Sequence, residues 1–468
     1  MALGNSTAGA DTSRHGMWSS RWLFVLAAAG SAVGLGNIWK FPYIAGENGG
    51  GAFVLVYLGC VLAVGLPIMV SEVLLGRAGR ASPINTMRKL TRSHGASGFW
   101  NVIGWMGVLA GILILSYYAV IAGWALNYIL LMVTDTFSNV TPETASGTFD
   151  AFLASPGKLL LWQTLFMVLT VYIVSRGVTK GLETAIRWFM PLLFILLLVL
   201  LFYGFRSGGF DEGLAFMFRL NWESLTPNVV LIAMGQAFFT LSLAMGAIMA
   251  YGAYVPKDTS IVSTVFTIAM LDTAVAIAAG MAIFPVVFAN GLEPGQGPGL
   301  MFVTVPLAFG QLPLGAVFGT LFFMLVTFAA ITSAISLLEP AIAYLVEQYN
   351  AQRRRVAISL GVLCWLLGIG SVLSFNYWSD FHIVGQLTFF DFIDYVSQNI
   401  MLPLGGMLIG LFAAWVLPRT VVGEQLGVSS GFGHLLWKLL AGVVAPLGVL
   451  AVFVFTVFPQ LSGQLFGS

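Results

Sequence analysis

The stretch from Ala28 to Pro42 reads Ala-Ala-Gly-Ser-Ala-Val-Gly-Leu-Gly-Asn-Ile-Trp-Lys-Phe-Pro and interrupts a long apolar segment of the chain. A segment of about 20 apolar residues can cross a bilayer. A glycine inside a helix costs roughly 1 kcal/mol relative to alanine, and each peptide group freed in lipid needs a new partner. The stretch therefore predicts a helix that opens at mid-membrane depth, where bare carbonyls suit a cation and bare N–H groups suit a carboxylate.

A second interpretation of the same glycines is close packing between helices, as in GxxxG seams. Asn37 and Lys40 weigh against it, because polar and charged side chains inside a span are expensive and are usually functional.

The composition indicates a polytopic membrane protein. The chain has 468 residues, of which 58% are hydrophobic and 8% are charged, whereas soluble domains carry about 25% charged residues. The net charge of +1 gives no indication of a nucleic-acid partner. Cys60 and Cys364 lie in apolar runs, which is typical of core residues and not of a disulfide framework. The sequence contains no metal-ligand spacing, phosphate loop or nucleophile motif, which argues against an enzyme.

The apolar segments predict an all-α fold with 11 transmembrane helices. Arg14 and Arg21 before Leu23–Ala29 could also form a signal peptide, but cleavage there would cut the glycine stretch, so we interpret this region as the first span. The predicted borders are 20–45, 51–77, 99–133, 159–175, 180–204, 228–254, 260–289, 314–347, 356–375, 389–416 and 435–460.

The basic residues predict the orientation. All of the 20 lysines and arginines lie at one set of span ends, except Lys40, Lys158, Arg206 and Arg219. Because basic residues concentrate on the cytoplasmic side, we expect the N-terminus in the cytoplasm and, after an odd number of spans, the C-terminus outside. One outer connection contains an apolar stretch, Leu300–Phe309, that we expect to dip back onto the protein.

The sixth segment contains a second interruption, Gly-Gln-Ala-Phe-Phe-Thr-Leu-Ser-Leu-Ala-Met-Gly at residues 235–246. Five spans separate the two interruptions, so the two halves of the chain would be inverted in the membrane. Interrupted helices at matching positions of two halves indicate a transporter substrate site, a rule that is itself based on known transporters. The predicted units are an N-terminal tail 1–17, a first repeat 18–205, an outer loop 206–227, a second repeat 228–416, and an eleventh span with the C-terminus, 417–468.

Several motifs resemble those of the neurotransmitter:sodium symporter family, and the similarity runs from about Trp18 to the eleventh span. The eleven-span form is similar to the bacterial amino-acid transporters of that family. The resemblance implies broken helices 1 and 6, a five-plus-five inverted repeat, and sodium-coupled uptake by alternating access. The motifs are Gly30–Pro42, Glu47–Phe53, Gln236–Gly246, Tyr117-Tyr118 and Thr332-Ser333.

The resemblance implies a site for an amino-acid zwitterion between the two broken helices. The N–H groups of Leu35 and Gly36, with the Tyr118 hydroxyl, would bind the carboxylate, although Tyr118 could instead be a packing residue. The amine would be accepted by the carbonyls of Ala32, Phe239 and Thr240 and by the Ser333 hydroxyl. The side-chain pocket would be lined by Ser31, Ile114, Phe239, Ser242, Met245 and Leu337.

The pocket residues favour a hydrophobic L-amino acid, with room for a bulky or aromatic side chain. Met245 stands where some bacterial members have phenylalanine, and methionine adapts to different shapes. No acidic residue lines the implied pocket to bind an amine alone, which disfavours a monoamine substrate.

Two sodium sites are also implied, and oxygen ligands suit such a hard cation. In the first site the substrate carboxylate would be shared, which couples ion and substrate binding. In the second site the two hydroxyl residues have a structural alternative, back-bonding within their own helix. The first site would use Ala32, Asn37, Thr240 and Asp272, and the second Gly30, Val33, Ala329, Thr332 and Ser333.

Asp272 lies where the family often has asparagine, and chloride-dependent members have a serine four residues later, where this chain has Ala276. We therefore expect the carboxylate of Asp272 to replace bound chloride, near Tyr57, Gln236 and Thr240. Because a buried carboxylate is unfavourable in its ionised form without a neighbouring cation, we also expect Asp272 to take a proton when sodium leaves, which would link the return step to protons.

Gate residues are implied on both sides. Lys40 and Asp394 match the family's outer gate, and because lysine lacks the fork of arginine we expect a looser or water-bridged contact. The inner latch would use Arg14, Trp18, Tyr254 and Glu347, with surface anchoring as the alternative.

The fifth span begins with a glycine and a proline that could open its first turns. Gly181 and Pro191 bracket nine residues, and unwinding between them could release sodium from the second site, although a static kink would need the same residues.

The sequence leaves two other functions open, an ion channel or passive pore and a receptor-like sensor, and uptake against a gradient would separate a symporter from a pore. The expected cofactor is Na⁺, without a requirement for chloride. The expected partners are an amino acid and the lipid bilayer, with no nucleic acid, and the chain would act as a monomer or weak dimer in a bacterial inner (plasma) membrane.

Overall fold

The computed structural model describes residues 21–294, 299–427 and 431–457, and its regular structure over these ranges is helical apart from one isolated bridge between Val384 and Leu387. The predicted N-terminal tail, Arg14, Trp18 and the last residues of the chain lie outside the described ranges. Within these ranges, nine helices are long and apolar enough to cross a membrane. They are Gly51–Gly79, Gly98–Val133, Pro156–Ser175, Gly181–Arg206, Ile261–Phe288, Gly315–Tyr349, Arg353–Ser374, Phe389–Val416 and Phe432–Ala451.

Two further spans are broken helices. Trp22–Ala32 and Gly36–Glu47 together pass as a tenth span that is bent by 51° at the break. Pro227–Thr240 and Ala247–Gly252 flank a second break at the position predicted for the sixth span. Counted in chain order, these helices are spans 1 to 11. The all-helical membrane fold with breaks in spans 1 and 6 is therefore confirmed, while the division into inverted repeats stays a prediction.

The break in span 1 follows from its glycines and from one amide side chain. The regular helix ends at Ala32, and the N–H of Gly34 is taken up by the Asn37 side chain at 3.0 Å. From Gly36 to Lys40 the chain forms a π-helical turn, a widened turn that is frequent at functional sites.

The break in span 6 passes through left-handed backbone. Ser242, Ala244 and Gly246 have φ angles of 53°, 61° and 75°, a left-handed conformation that is uncommon for residues other than glycine. The N–H of Ala244 donates to the buried carboxylate of Glu72 in span 2. A peptide group freed inside the membrane thus obtains a side-chain partner from a neighbouring helix.

The turn between spans 1 and 2 fits against the outer loop before span 6. Gly49 and Gly50 have φ angles of 82° and 57°. A Cβ on Gly49 would lie 2.7 Å from Ser224 Oγ, and one on Gly51 would lie 2.6 Å from the carbonyl oxygen of Arg219. The glycines are therefore needed both for the turn and for the close approach of the loop.

Two further predicted segments can be compared with the structure. The apolar stretch of the outer loop forms the buried helical turns Leu300–Thr304 and Val305–Gly310, whereas residues 295–298 lie outside the described ranges. At the start of span 5, Val178–Glu183 is a π-helical turn and the helix continues through Pro191. The structure thus has a widened turn there, and unwinding between Gly181 and Pro191 stays a prediction.

Candidate functional site

A small cavity lies between the two broken helices and is closed on its other sides by residues of spans 3 and 8. The structure brings to it all of the predicted substrate residues except Thr240, and it adds Gly34. The lining residues are Ser31, Ala32, Gly34, Leu35, Gly36, Ile114, Tyr118, Phe239, Ser242, Met245, Ser333 and Leu337.

Polar groups gather at the break of span 1. The N–H of Leu35 donates to the Tyr118 hydroxyl at 3.3 Å, and the Gly36 carbonyl accepts from the Gln236 side chain at 2.8 Å. Gln236, which we expected near Asp272, thus bonds the opened backbone one residue before Asn37, and its place beside Asp272 stays a prediction. Because Tyr118 accepts this bond through its oxygen, its own O–H remains able to donate to an acceptor in the cavity.

The side-chain end of the cavity combines apolar surface with hydroxyl groups that are already engaged. Ser31 Oγ donates to Ser336 Oγ at 2.8 Å, and Ser242 Oγ donates to the carbonyl of Ser31 at 2.8 Å. Ile114 and Met245 are buried there. Because the hydroxyls are satisfied by the protein, the remaining surface suits an apolar group.

Asp272 lies fully buried beside the break of span 1. Asn37 Nδ2 donates to Asp272 Oδ1 at 2.7 Å, and Thr240 Oγ1 donates to Asp272 Oδ2 at 3.1 Å. Three of the residues implied for the first sodium site are thus in direct contact. Thr240 faces this carboxylate, which explains why it does not line the cavity.

The oxygens implied for the second sodium site also lie together. Ser333 Oγ lies 3.5 Å from the carbonyl oxygen of Gly30 and 3.2 Å from that of Val33. Thr332 Oγ1 donates to the carbonyl of Ala329 at 3.0 Å, which is the back-bonding alternative. The atoms that would contact an ion here are all oxygens, the ligand type that a hard cation takes.

The outer gate pair is joined indirectly. Lys40 Nζ donates to Gln398 Oε1 at 2.5 Å, and Gln398 Nε2 donates to Asp394 Oδ1. Lys40 and Asp394, both in the described part of the chain, form no direct ion pair. The looser contact expected for lysine is thus made through a glutamine that the sequence reasoning missed.

The predicted inner latch residues have other partners in the described residues. Glu347 accepts from the Ser82 N–H at 2.8 Å and from Asn85 Nδ2 at 2.9 Å, which caps the helix Pro83–Ser93. Tyr254 is buried at the inner end of span 6. Their contact with Arg14 and Trp18 stays a prediction, since those two residues are outside the described ranges.

Two functional candidates were missed by the sequence reasoning. Glu72 is fully buried and contacts the break of span 6, and Glu339 is fully buried and forms a two-pronged ion pair with Arg353 between spans 8 and 9. A lone acidic residue inside an apolar run was the available signal, because such residues rarely lie in spans without a role.

Comparisons with known proteins agree with this geometry. The profile of the "Sodium:neurotransmitter symporter family" matches residues 15–146 and 148–465. An uncharacterized sodium-dependent transporter of Bacillus subtilis (strain 168) is 37% identical over 439 residues, which cover 93% of this chain and 96% of that protein. The sodium- and chloride-dependent GABA transporter 2 of Homo sapiens is 26% identical, with 86% of this chain and 73% of that protein covered.

A solved structure is similar over nearly the whole chain. The crystal structure of MhsT in complex with L-phenylalanine is 45% identical in sequence and has a TM-score of 0.87, covering 94% of this chain and 99% of that one. With the family profile matching almost every span and the two broken helices in place, the chain belongs to the sodium:neurotransmitter symporter family and is a multi-pass, sodium-dependent membrane symporter, not an enzyme.

Proposed function

We propose that this protein imports a bulky hydrophobic or aromatic L-amino acid together with sodium, by alternating access. The observation that carries the proposal is a cavity in which opened backbone of both broken helices meets Tyr118 and Ser333. The similarity to MhsT, which was crystallised with L-phenylalanine, makes phenylalanine the first candidate substrate.

The roles of the polar groups follow from the charges of a zwitterion. A carboxylate is acceptor-only, so it would lie against the Leu35 and Gly36 peptide N–H groups and the Tyr118 O–H. An ammonium group is donor-only and would lie against the carbonyls of Ala32 and Phe239 and the Ser333 hydroxyl. The substrate side chain would fill the apolar end at Ile114, Met245 and Leu337.

We propose two sodium sites at the residues named above, with the substrate carboxylate shared by the first. Asn37 and Asp272 lie in contact there, and a cation would offset the charge of the buried carboxylate. In the second, carbonyls of span 1 and hydroxyls of span 8 would be bridged by the ion, so sodium would hold these two spans together.

We propose further that transport needs no chloride and that Asp272 takes a proton on the return step. Ala276 is fully buried one turn after Asp272 and has no donor for an anion. In proteoliposomes, wild-type uptake should persist when chloride is replaced by gluconate. A pH-sensitive dye should report proton movement coupled to uptake, in chloride and in gluconate alike.

The decisive experiment is uptake of labelled L-phenylalanine into proteoliposomes against its own concentration gradient, with an inward sodium gradient and with potassium in its place. Accumulation in sodium alone is the expected result. Equilibration without accumulation would favour a passive pore, and saturable binding without uptake would favour a sensor.

We place the protein in a bacterial inner (plasma) membrane, with the N-terminus in the cytoplasm and the C-terminus outside, as a monomer or weak dimer. The support is the distribution of basic residues and the similarity to a bacterial transporter.

A further inference from the structure

A hydrogen-bonded cluster lies at the outer end of the cavity, with Lys40 on one side and Asp394 and Gln398 on the other. Lys40 Nζ donates to the Gln398 amide oxygen at 2.5 Å, and the amide nitrogen donates to Asp394 Oδ1 and, at 2.9 Å, to the Tyr117 hydroxyl. Every polar atom of the Gln398 side chain is therefore engaged.

The chemistry of the two charged groups explains why an amide lies between them. A lysine ammonium group is donor-only, and an ionised carboxylate is acceptor-only. A side chain that joins the two at a distance has to accept at one end and donate at the other. Gln398 does both without adding a charge.

This cluster is connected to the cavity. Lys40 Nζ lies 4.6 Å from the ring centroid of Phe239, which lines the cavity, and Tyr117 is next to Tyr118 in span 3. Lys40 is the last residue of the π-helical turn in span 1, and Gln398 lies in a second such turn, Tyr395–Met401, in span 10. Both sides of the contact are thus on widened turns beside the site.

We propose that Gln398 closes the extracellular side of the cavity, with its amide holding Lys40 of span 1 to Asp394 of span 10. This rests on the proposed function, because it assigns a gate to the proposed substrate cavity. Gln398 is a positioning residue that acts through Lys40 and does not touch the substrate.

The test measures how fast labelled L-phenylalanine leaves the purified protein in sodium after excess unlabelled phenylalanine is added. Gln398→Ala should release it roughly tenfold faster, since the bonds lost include ones to charged groups. Adding Lys40→Arg should restore release to within about threefold of the wild type, because a guanidinium fork can pair with the Asp394 carboxylate directly. A purely structural defect at Gln398 would not be corrected by this second change.

Gln386→Ala is the matched control, since Gln386 is an exposed glutamine in the extracellular turn before span 10, and it should release phenylalanine at the wild-type rate. If Gln398→Ala cannot be purified, Gln398→Glu keeps the acceptor for Lys40 but loses the donor for Asp394 and should also release faster. Wild-type release from the position 398 variants, or no rescue by Lys40→Arg, overturns the gate. A wild-type protein that binds no phenylalanine in sodium overturns the proposed function instead.

Discussion

Among single residues, Gly34 leaves little room for a side chain at the proposed site. A Cβ at this position would lie 2.9 Å from the Tyr118 hydroxyl oxygen and closer still to Ser333 Oγ. These are the two side chains proposed to bind the two ends of a zwitterion. The absence of a side chain at residue 34 is therefore part of the site.

Gly34→Ala should reduce sodium-dependent phenylalanine affinity by roughly tenfold or more, because overpacking a tight site costs about 1–3 kcal/mol. Equilibrium binding measures the effect. Gly235→Ala, in span 6, is the control, since its Cβ would meet nothing within 4 Å. Equal affinities for the two variants would argue against substrate binding at this break.

Substitution of Asp272 should make transport respond to chloride. The double variant Asp272→Asn, Ala276→Ser removes a buried carboxylate and supplies a hydroxyl donor one turn away. The site then lacks a negative charge, which a bound chloride ion could supply. Its uptake should be stimulated by chloride, whereas wild-type uptake should not be. Uptake in chloride and in gluconate gives the comparison, and a double variant indifferent to chloride would contradict the assigned role of Asp272.

At the scale of the helices, span 2 packs against the inner half of span 6 through a glycine. A Cβ on Gly76 would overlap the carbonyl oxygen of Met249 and lie 3.1 Å from the backbone nitrogen of Ala253. Because backbone atoms cannot move aside as a flexible side chain can, the two helices would have to separate.

Gly76→Ala should therefore destabilise the protein by about 1–3 kcal/mol, seen as a lower melting temperature in detergent. Gly59→Ala in the same span is the control, because its Cβ would meet nothing within 4 Å and alanine is the better helix former. If the two variants have the same melting temperature, the contact between spans 2 and 6 is not tight.

The helices and their breaks could be predicted because their signals are local. Glycine and polar side chains within an apolar run mark both breaks, and motif positions place most of the cavity lining. The partners of Glu72, Gln398 and Glu347 could not be predicted, because each depends on which helices become neighbours in space. The bond from the Gln236 side chain to the Gly36 carbonyl could not be predicted either, because it depends on how the two broken helices meet.

For the whole molecule, ion and amino acid should stabilise the fold together. If sodium orders the break that also binds the substrate, each ligand increases the affinity for the other. Phenylalanine at about 100 times its Kd would add about 2.7 kcal/mol to stability. A melting temperature raised by phenylalanine in sodium and unchanged in potassium is expected, and equal shifts in the two salts would contradict the coupling.

The glycine turn at residues 49–51 has a mechanical consequence. Its backbone fits directly against the outer loop at Ser224 and Arg219. This close contact restricts movement of the loop relative to the outer ends of spans 1 and 2. When those ends tilt, the loop must travel with them. An antibody fragment that immobilises residues 210–224 from the aqueous side should therefore slow the transport cycle from a distance, without competing with phenylalanine.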